Sequence, residues 1–275
     1  ARARGVDVAA DMYPYTAGGT GLEATIPSWV FDGGNDSVQA RIARPEVRER
    51  MKREVETGFD GWWNIVKSSG GWDGIVLVNA RNPANAHLEG KSISLIAQKT
   101  GKDPADAAWD LVAEGNGRVM AIYHMMSEED VQWALQRPWT SIGSDAGAAL
   151  SAGVTDALGL PHPRSYGTFP RILARYVRET GTLSLEEAVR KMTSWPATRM
   201  RLDRRGVIQE GAWADITIFD LERVQDLATY DEPVLFPEGI EYVLVNGVVV
   251  IEDGGTHTGA RPGHVLYGPG REISR

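Results

Sequence analysis

The apolar positions of this chain fall into short runs separated by amphipathic stretches, with one long irregular interval near the start. Residues 6–12, Val-Asp-Val-Ala-Ala-Asp-Met, read as a buried strand. The strand runs into residues 13–20, where Pro14 and the pair Gly18-Gly19 predict loop. Residues 21–75 are irregular and hold Trp29, Trp62, Trp63 and Trp72. Within them, 45–56 predicts a charged helix with Val47, Met51 and Val55 on one face. This interval breaks the strand–helix alternation, so it reads as an insertion spanning about 16–82. Residues 75–78 form a second apolar strand.

From there the alternation is regular. Ser92 precedes a helix carrying Ile93, Leu95 and Ile96 that closes at Gly101. Asp103-Pro104 supplies an N-cap and a first-turn proline for the next helix, whose apolar face is Ala107, Ala108, Leu111 and Val112. Residues 119–123 predict a strand ending at His124-Met125-Met126. Ser127 with Glu128, Glu129 and Asp130 opens a helix that leads into the strand that carries Asp145. Strand–helix–strand with short links is the unit of parallel sheets and barrels. A small-residue loop follows from 146 to 159, then Leu160-Pro161-His162-Pro163-Arg164, where two prolines stiffen the frame around His162 and Arg164. Helices are predicted over 168–180 and from Ser184, which has Glu187 three residues on as a capping box. After Arg205 the pattern turns to β, with Asn246-Gly247 as a strong hairpin signal. The division expected is therefore an α/β segment over 1–205 and an all-β segment over 206–275.

Composition narrows the chemistry. A net charge of -8 argues against a nucleic-acid surface, and the absence of cysteine excludes disulfides and thiolate zinc sites within these 275 residues. No apolar run approaches a membrane span and no signal peptide is visible, so no membrane partner and a cytoplasmic location are expected. The candidate chemistry lies at Asp145, where the strand beginning at Trp139 stops, followed by Ala146, Gly147 and other small residues. A carboxylate at a strand's carboxyl end suits a general base, and equally suits a cap for the next turn. Tyr13 and Tyr15 suit either a pocket wall or a plug at a barrel mouth, the plug being the ordinary reading.

Several motifs occur together and in a recognisable order: Asp11-Met12-Tyr13-Pro14-Tyr15, Ile142-Gly143-Ser144-Asp145, His162-Pro163-Arg164 with Gly167-Thr168-Phe169, residues 211–220, Val245-Asn246-Gly247 and residues 258–263. In this the chain resembles the D-aminoacylases, the N-acyl-D-amino-acid deacylases of the amidohydrolase superfamily, over nearly its whole length. The resemblance implies the C-terminal part of a metal-dependent (β/α)8 TIM barrel, followed by strands of a small β-sandwich. It also implies zinc as cofactor and a small N-acyl amino acid as substrate. Asp145 then matches a metal-contacting, proton-shuttling aspartate; Arg164 matches the arginine for the substrate α-carboxylate; Tyr13 matches a tyrosine at the substrate end; Met126 matches a pocket-lining residue. A related amidohydrolase acting on a cyclic amide, or a catalytically inactive fragment, is the alternative.

Departures bear on the metal. A His-x-His pair is absent, and His87, His124, His162, His257 and His264 are not spaced as a paired zinc set. His124 therefore reads as pocket lining or a satisfied core histidine, and Gly19 stands where the family often has a serine. A whole barrel needs about 200–250 residues, and only two to four barrel strands are identifiable before residue 205. The chain also opens on Ala1 rather than Met. The expectation is a C-terminal half whose missing N-terminal half holds the remaining zinc ligands.

Overall fold

The structure is a computed structural model and describes residues 1–116, 119–147 and 159–267. Most of the loop expected at 146–159 lies outside the described residues. The fold is mixed α/β with three separate sheets among the described residues. β1 (Ala10–Met12) pairs in parallel with β5 (Thr140–Ile142). β2 (Ala17–Gly21) and β3 (Ile75–Asn79) flank β4 (Met120–His124), both antiparallel to it. β6 (Ile216–Phe219), β7 (Ile240–Val245), β8 (Val248–Glu252) and β9 (Thr256–His257) make an antiparallel sheet in that order.

The helices follow their sequence signals closely. α1 (Asn35–Ile42), α2 (Pro45–Thr57) and α3 (Ile65–Ser68) fill the interval read as an insertion. Val47, Met51 and Val55 of α2 join one apolar core with Leu22, Ile75, Leu77, Trp109 and Tyr123. That interval is thus built into the core beneath β3 and β4. α4 (Ile93–Thr100) and α5 (Pro104–Glu114) cover the same core, and Asp103 caps α5 by accepting from the Ala105 N–H at 2.9 Å. α6 (Glu128–Leu135) is capped by Ser127, and the later helices are α7 (Arg164–Arg171), α8 (Leu185–Met192) and α9 (Ser194–Arg199). The Asn246-Gly247 turn joins β7 to β8, with φ of 50° and 82° at its two residues. Both central residues of a type I′ turn need positive φ, which this dipeptide supplies.

Four expectations change. Residues 17–21 are a strand rather than a loop: without side chains at Gly18 and Gly19, β2 can run close beneath Met125, Tyr13 and His162. The strand expected at 6–12 shrinks to Ala10–Met12, and Val6 and Val8 stand 49% and 41% exposed because nothing packs over them. The units β4, α6 and β5 do not form a parallel pair: β2 occupies one edge of β4 and β3 the other, so β5 pairs with β1 in a different sheet. Finally, the helix expected from 168 begins at Arg164, directly after Pro163, and passes Pro170 by continuing as a π-helix over Ile172–Glu179.

A second core lies behind β5, where Ile142, Val131 and Leu135 meet Ile172, Tyr176 and Ala188. Lys191 on α8 is fully buried there. Its Nζ donates to the Thr140 carbonyl at 3.0 Å and to the Arg137 carbonyl, with the Glu187 carboxylate 3.5 Å away. Burial pushes the Lys191 ammonium below its ordinary value. Alternate carbonyls of β5 face β1, as when the Ala10 N–H donates to Trp139 O at 3.1 Å. Lys191 thus satisfies a carbonyl on the strand's other edge, where no neighbouring strand is described.

Candidate active site

The parallel register of β1 and β5 decides what meets at their ends. Met12 is level with Ile142, and the Gly143 N–H donates to Met12 O at 2.9 Å. Both chains therefore leave the sheet at the same end, Tyr13 from one and Gly143-Ser144-Asp145 from the other. Asp145 has φ of +47°, the left-handed region that aspartate tolerates better than most residues. The sharp turn there presents its carboxylate outward, 73% exposed.

Arg164 faces it from the first turn of α7. Its Nη2 lies 3.1 Å from Asp145 Oδ2, and its guanidinium sits over the Tyr13 ring at 4.7 Å from the centroid. The same nitrogen approaches Gly19 O at 3.5 Å. The Arg164 side chain is only 10% exposed, so most of its charge is held within the wall while one edge looks onto the open side of Asp145. A planar, permanently charged fork stacked on an aromatic face is suited to grip a carboxylate.

Aromatic rings support this pair from below. His162 meets Tyr13, Tyr15 and Tyr230 edge-on at 6.0, 5.2 and 5.3 Å between centroids. The His162 Nδ1 accepts from the Arg164 backbone N–H at 3.0 Å, and its Nε2 lies 2.9 Å from Ala17 O. Burial pushes the imidazole down to about pKa 4, so it is neutral at pH 7. Tyr15 is buried, and desolvation together with the Asp226 charge raises its phenol well above its ordinary value. Arg171 lies over the Tyr15 ring, bonds Asp226 at 2.9 Å and donates to Pro14 O at 2.9 Å. This fixes the turn between β1 and β2.

Of the four residues singled out in the sequence, three come together: Asp145, Arg164 and Tyr13. Met126 is placed by its N–H donating to Thr16 O at 3.0 Å, just past the end of the β2–β4 ladder. At this corner it is Met125 that comes close: its Cε and the Tyr13 hydroxyl both face the space a side chain at Gly18 would occupy. His124 is exposed and packs its ring against Tyr230 at 5.1 Å between centroids. Tyr230 itself was not foreseeable, because it sits in an irregular stretch over 225–239 with no periodicity to mark it. Among the described residues, no group of three or more His, Asp or Glu side chains converges to hold a metal ion. Asp145 presents an exposed carboxylate oxygen, and these residues alone do not make a zinc centre.

The chain is similar to known proteins over nearly its whole length. The model of the "Amidohydrolase family" matches residues 105–251. An N-acyl-D-glutamate deacylase from Alcaligenes xylosoxydans xylosoxydans is 35% identical over 266 residues, covering 97% of this chain and 42% of the relative. A D-aminoacylase from the same organism is 40% identical over 184 residues, covering 65% of this chain and 34% of the relative. Among solved structures, the N-acyl-D-glutamate deacylase of Bordetella bronchiseptica matches with a TM-score of 0.68 and 32% identity, over 96% of this chain and 44% of that one. That structure holds zinc and a phosphonate inhibitor mimicking the tetrahedral intermediate. The chain thus spans less than half the length of the relatives it matches.

Proposed function

Since the chain belongs to the amidohydrolase family, in its D-aminoacylase branch, we propose that it supplies the carboxylate-reading and proton-transferring part of an N-acyl-D-amino-acid deacylase. The observation behind this is the Asp145–Arg164 pair at the common end of β1 and β5, with Tyr13 stacked beneath the guanidinium. In this reading Arg164 binds the α-carboxylate of the substrate, and Tyr13 and Met126 line the pocket around it. Asp145 accepts a proton from the water that attacks the amide carbonyl and returns it to the departing nitrogen. Water and amide become a carboxylate and a free D-amino acid, with the proton balance closed through one carboxyl group.

Zinc is proposed as the metal of the active protein, with Asp145 as a ligand, and the ion would need partners beyond the described residues. When bound, it would activate the attacking water. By the same proposal, β1 and β5 belong to a (β/α)8 barrel within residues 1–205, and the sheet β6–β9 belongs to a β-sandwich within 206–275. β1 and β5 pair in parallel, whereas β6–β9 run antiparallel. The test is release of free amino acid from N-acetyl-D-leucine and N-acetyl-L-leucine by the zinc-loaded full-length protein, in which the remaining metal ligands are present. Release from the D-enantiomer alone is expected; equal release from both, or none, would overturn the proposal.

A further inference from the structure

We infer that His162 is the positioning residue for Arg164, a neutral strut bonded at both ends that ties the first turn of α7 to β2. The role assigned to Arg164 rests on the proposed function; the strut itself is read from geometry. The imidazole is 7% exposed and both of its nitrogens are engaged. An amide N–H can be accepted only by an unprotonated ring nitrogen, and a carbonyl can be met only by a protonated one. The contacts to Arg164 N–H and Ala17 O therefore fix one tautomer, with the lone pair on Nδ1 and the hydrogen on Nε2. The N–H of a residue in a helix's first turn has no partner inside the helix, and the imidazole supplies it.

The consequence is a closed connection around the arginine. Its backbone is bonded to His162, His162 is bonded to Ala17, and two residues along β2 the Gly19 carbonyl faces the Arg164 guanidinium. The edge-on rings of Tyr13, Tyr15 and Tyr230 hold the imidazole plane. With both nitrogens committed, His162 has no lone pair to give a metal ion, and it touches no reacting atom.

The test exploits two amides that each imitate one imidazole nitrogen. In His162→Asn the side-chain oxygen can replace Nδ1 and keep the bond to the Arg164 N–H. In His162→Gln the amide nitrogen can replace Nε2 and keep only the bond to Ala17. His162→Phe keeps volume and neither bond. NMR of the isotope-labelled chain reads the His162 ring nitrogens, the Arg164 amide and the Arg164 Nε–H. Expected are an unprotonated Nδ1 and a protonated Nε2 in the wild type, Arg164 signals retained in the Asn variant, and displaced signals in the Gln and Phe variants. Affinity for N-acetyl-D-leucine should change less than about twofold in the Asn variant and fall about fivefold or more in the other two, the loss expected for one hydrogen bond. A Phe variant that matches the Asn variant, or a protonated Nδ1 in the wild type, would overturn the inference. Should the Phe variant fail to fold, equal Arg164 signals in the Asn and Gln variants would do the same. Wild-type protein that takes up no N-acetyl-D-leucine would count against the proposed function, and the Arg164 signals would then decide the inference alone.

Discussion

Asp145→Asn should separate the two jobs of the site. In the structure the Asp145 carboxylate occupies the edge of Arg164 that a substrate carboxylate would need, at 3.1 Å from Nη2. Binding must therefore exchange one carboxylate for another. Asp145 is 73% exposed, so its pair with Arg164 is screened by solvent and is worth about 0.2–1 kcal/mol. Removing the charge while keeping the shape should tighten N-acetyl-D-leucine binding by about 1.4- to 5-fold in metal-free protein. Turnover should nevertheless fall about 100-fold or more, the usual contribution of a general base. Calorimetric titration in the presence of a chelator reads the first effect, and release of free D-leucine by zinc-loaded protein reads the second. Weaker binding by the Asn variant would refute the competition, and unchanged turnover would refute the role given to the carboxylate.

Two further outcomes concern the scaffold. His162 has a folded pKa of about 4, below the ordinary histidine value, so the unfolded chain binds the proton that the folded one refuses. Its contribution is complete above about pH 6.5 and declines as pH falls toward 4, by about 3 kcal/mol in all; urea midpoints at pH 7 and 4.5 should show this slope in the wild type and a shallower one in His162→Phe. Lys191→Met should lower stability by about 1–3 kcal/mol, because the carbonyls of Arg137 and Thr140 lose a donor behind β5. An unchanged melting temperature would show that another donor replaces it.

Much of this was legible in the sequence, for identifiable reasons. Caps such as Asp103, Ser127 and Ser184, and the Asn246-Gly247 turn, act locally, and local chemistry survives folding. The strand ending at Asp145 was visible because β-branched residues precede a run of small ones. Pairing was not visible. Gly18-Gly19 reads as loop until Met125 and His162 press on it from distant parts of the chain, with Tyr13 beside them. Likewise, nothing near Lys191 in the sequence announces that its ammonium serves a carbonyl about fifty residues away, at Thr140. The site's residues could be named from motifs, whereas their support, in His162, Gly19 and the Tyr15–Tyr230 ring contact, depends on contacts spanning more than a hundred positions.

Arg164 is proposed to read the carboxylate next to the amide that is broken. The most direct measurement compares kcat/KM for N-acetyl-D-leucine and for its α-carboxamide, in wild type and in Arg164→Ala. A charge-assisted bond to a carboxylate is worth about 1.5–3 kcal/mol, so the wild type should prefer the acid by about 10- to 150-fold. That preference should collapse toward unity in the variant. A preference that persists without the guanidinium would contradict the account.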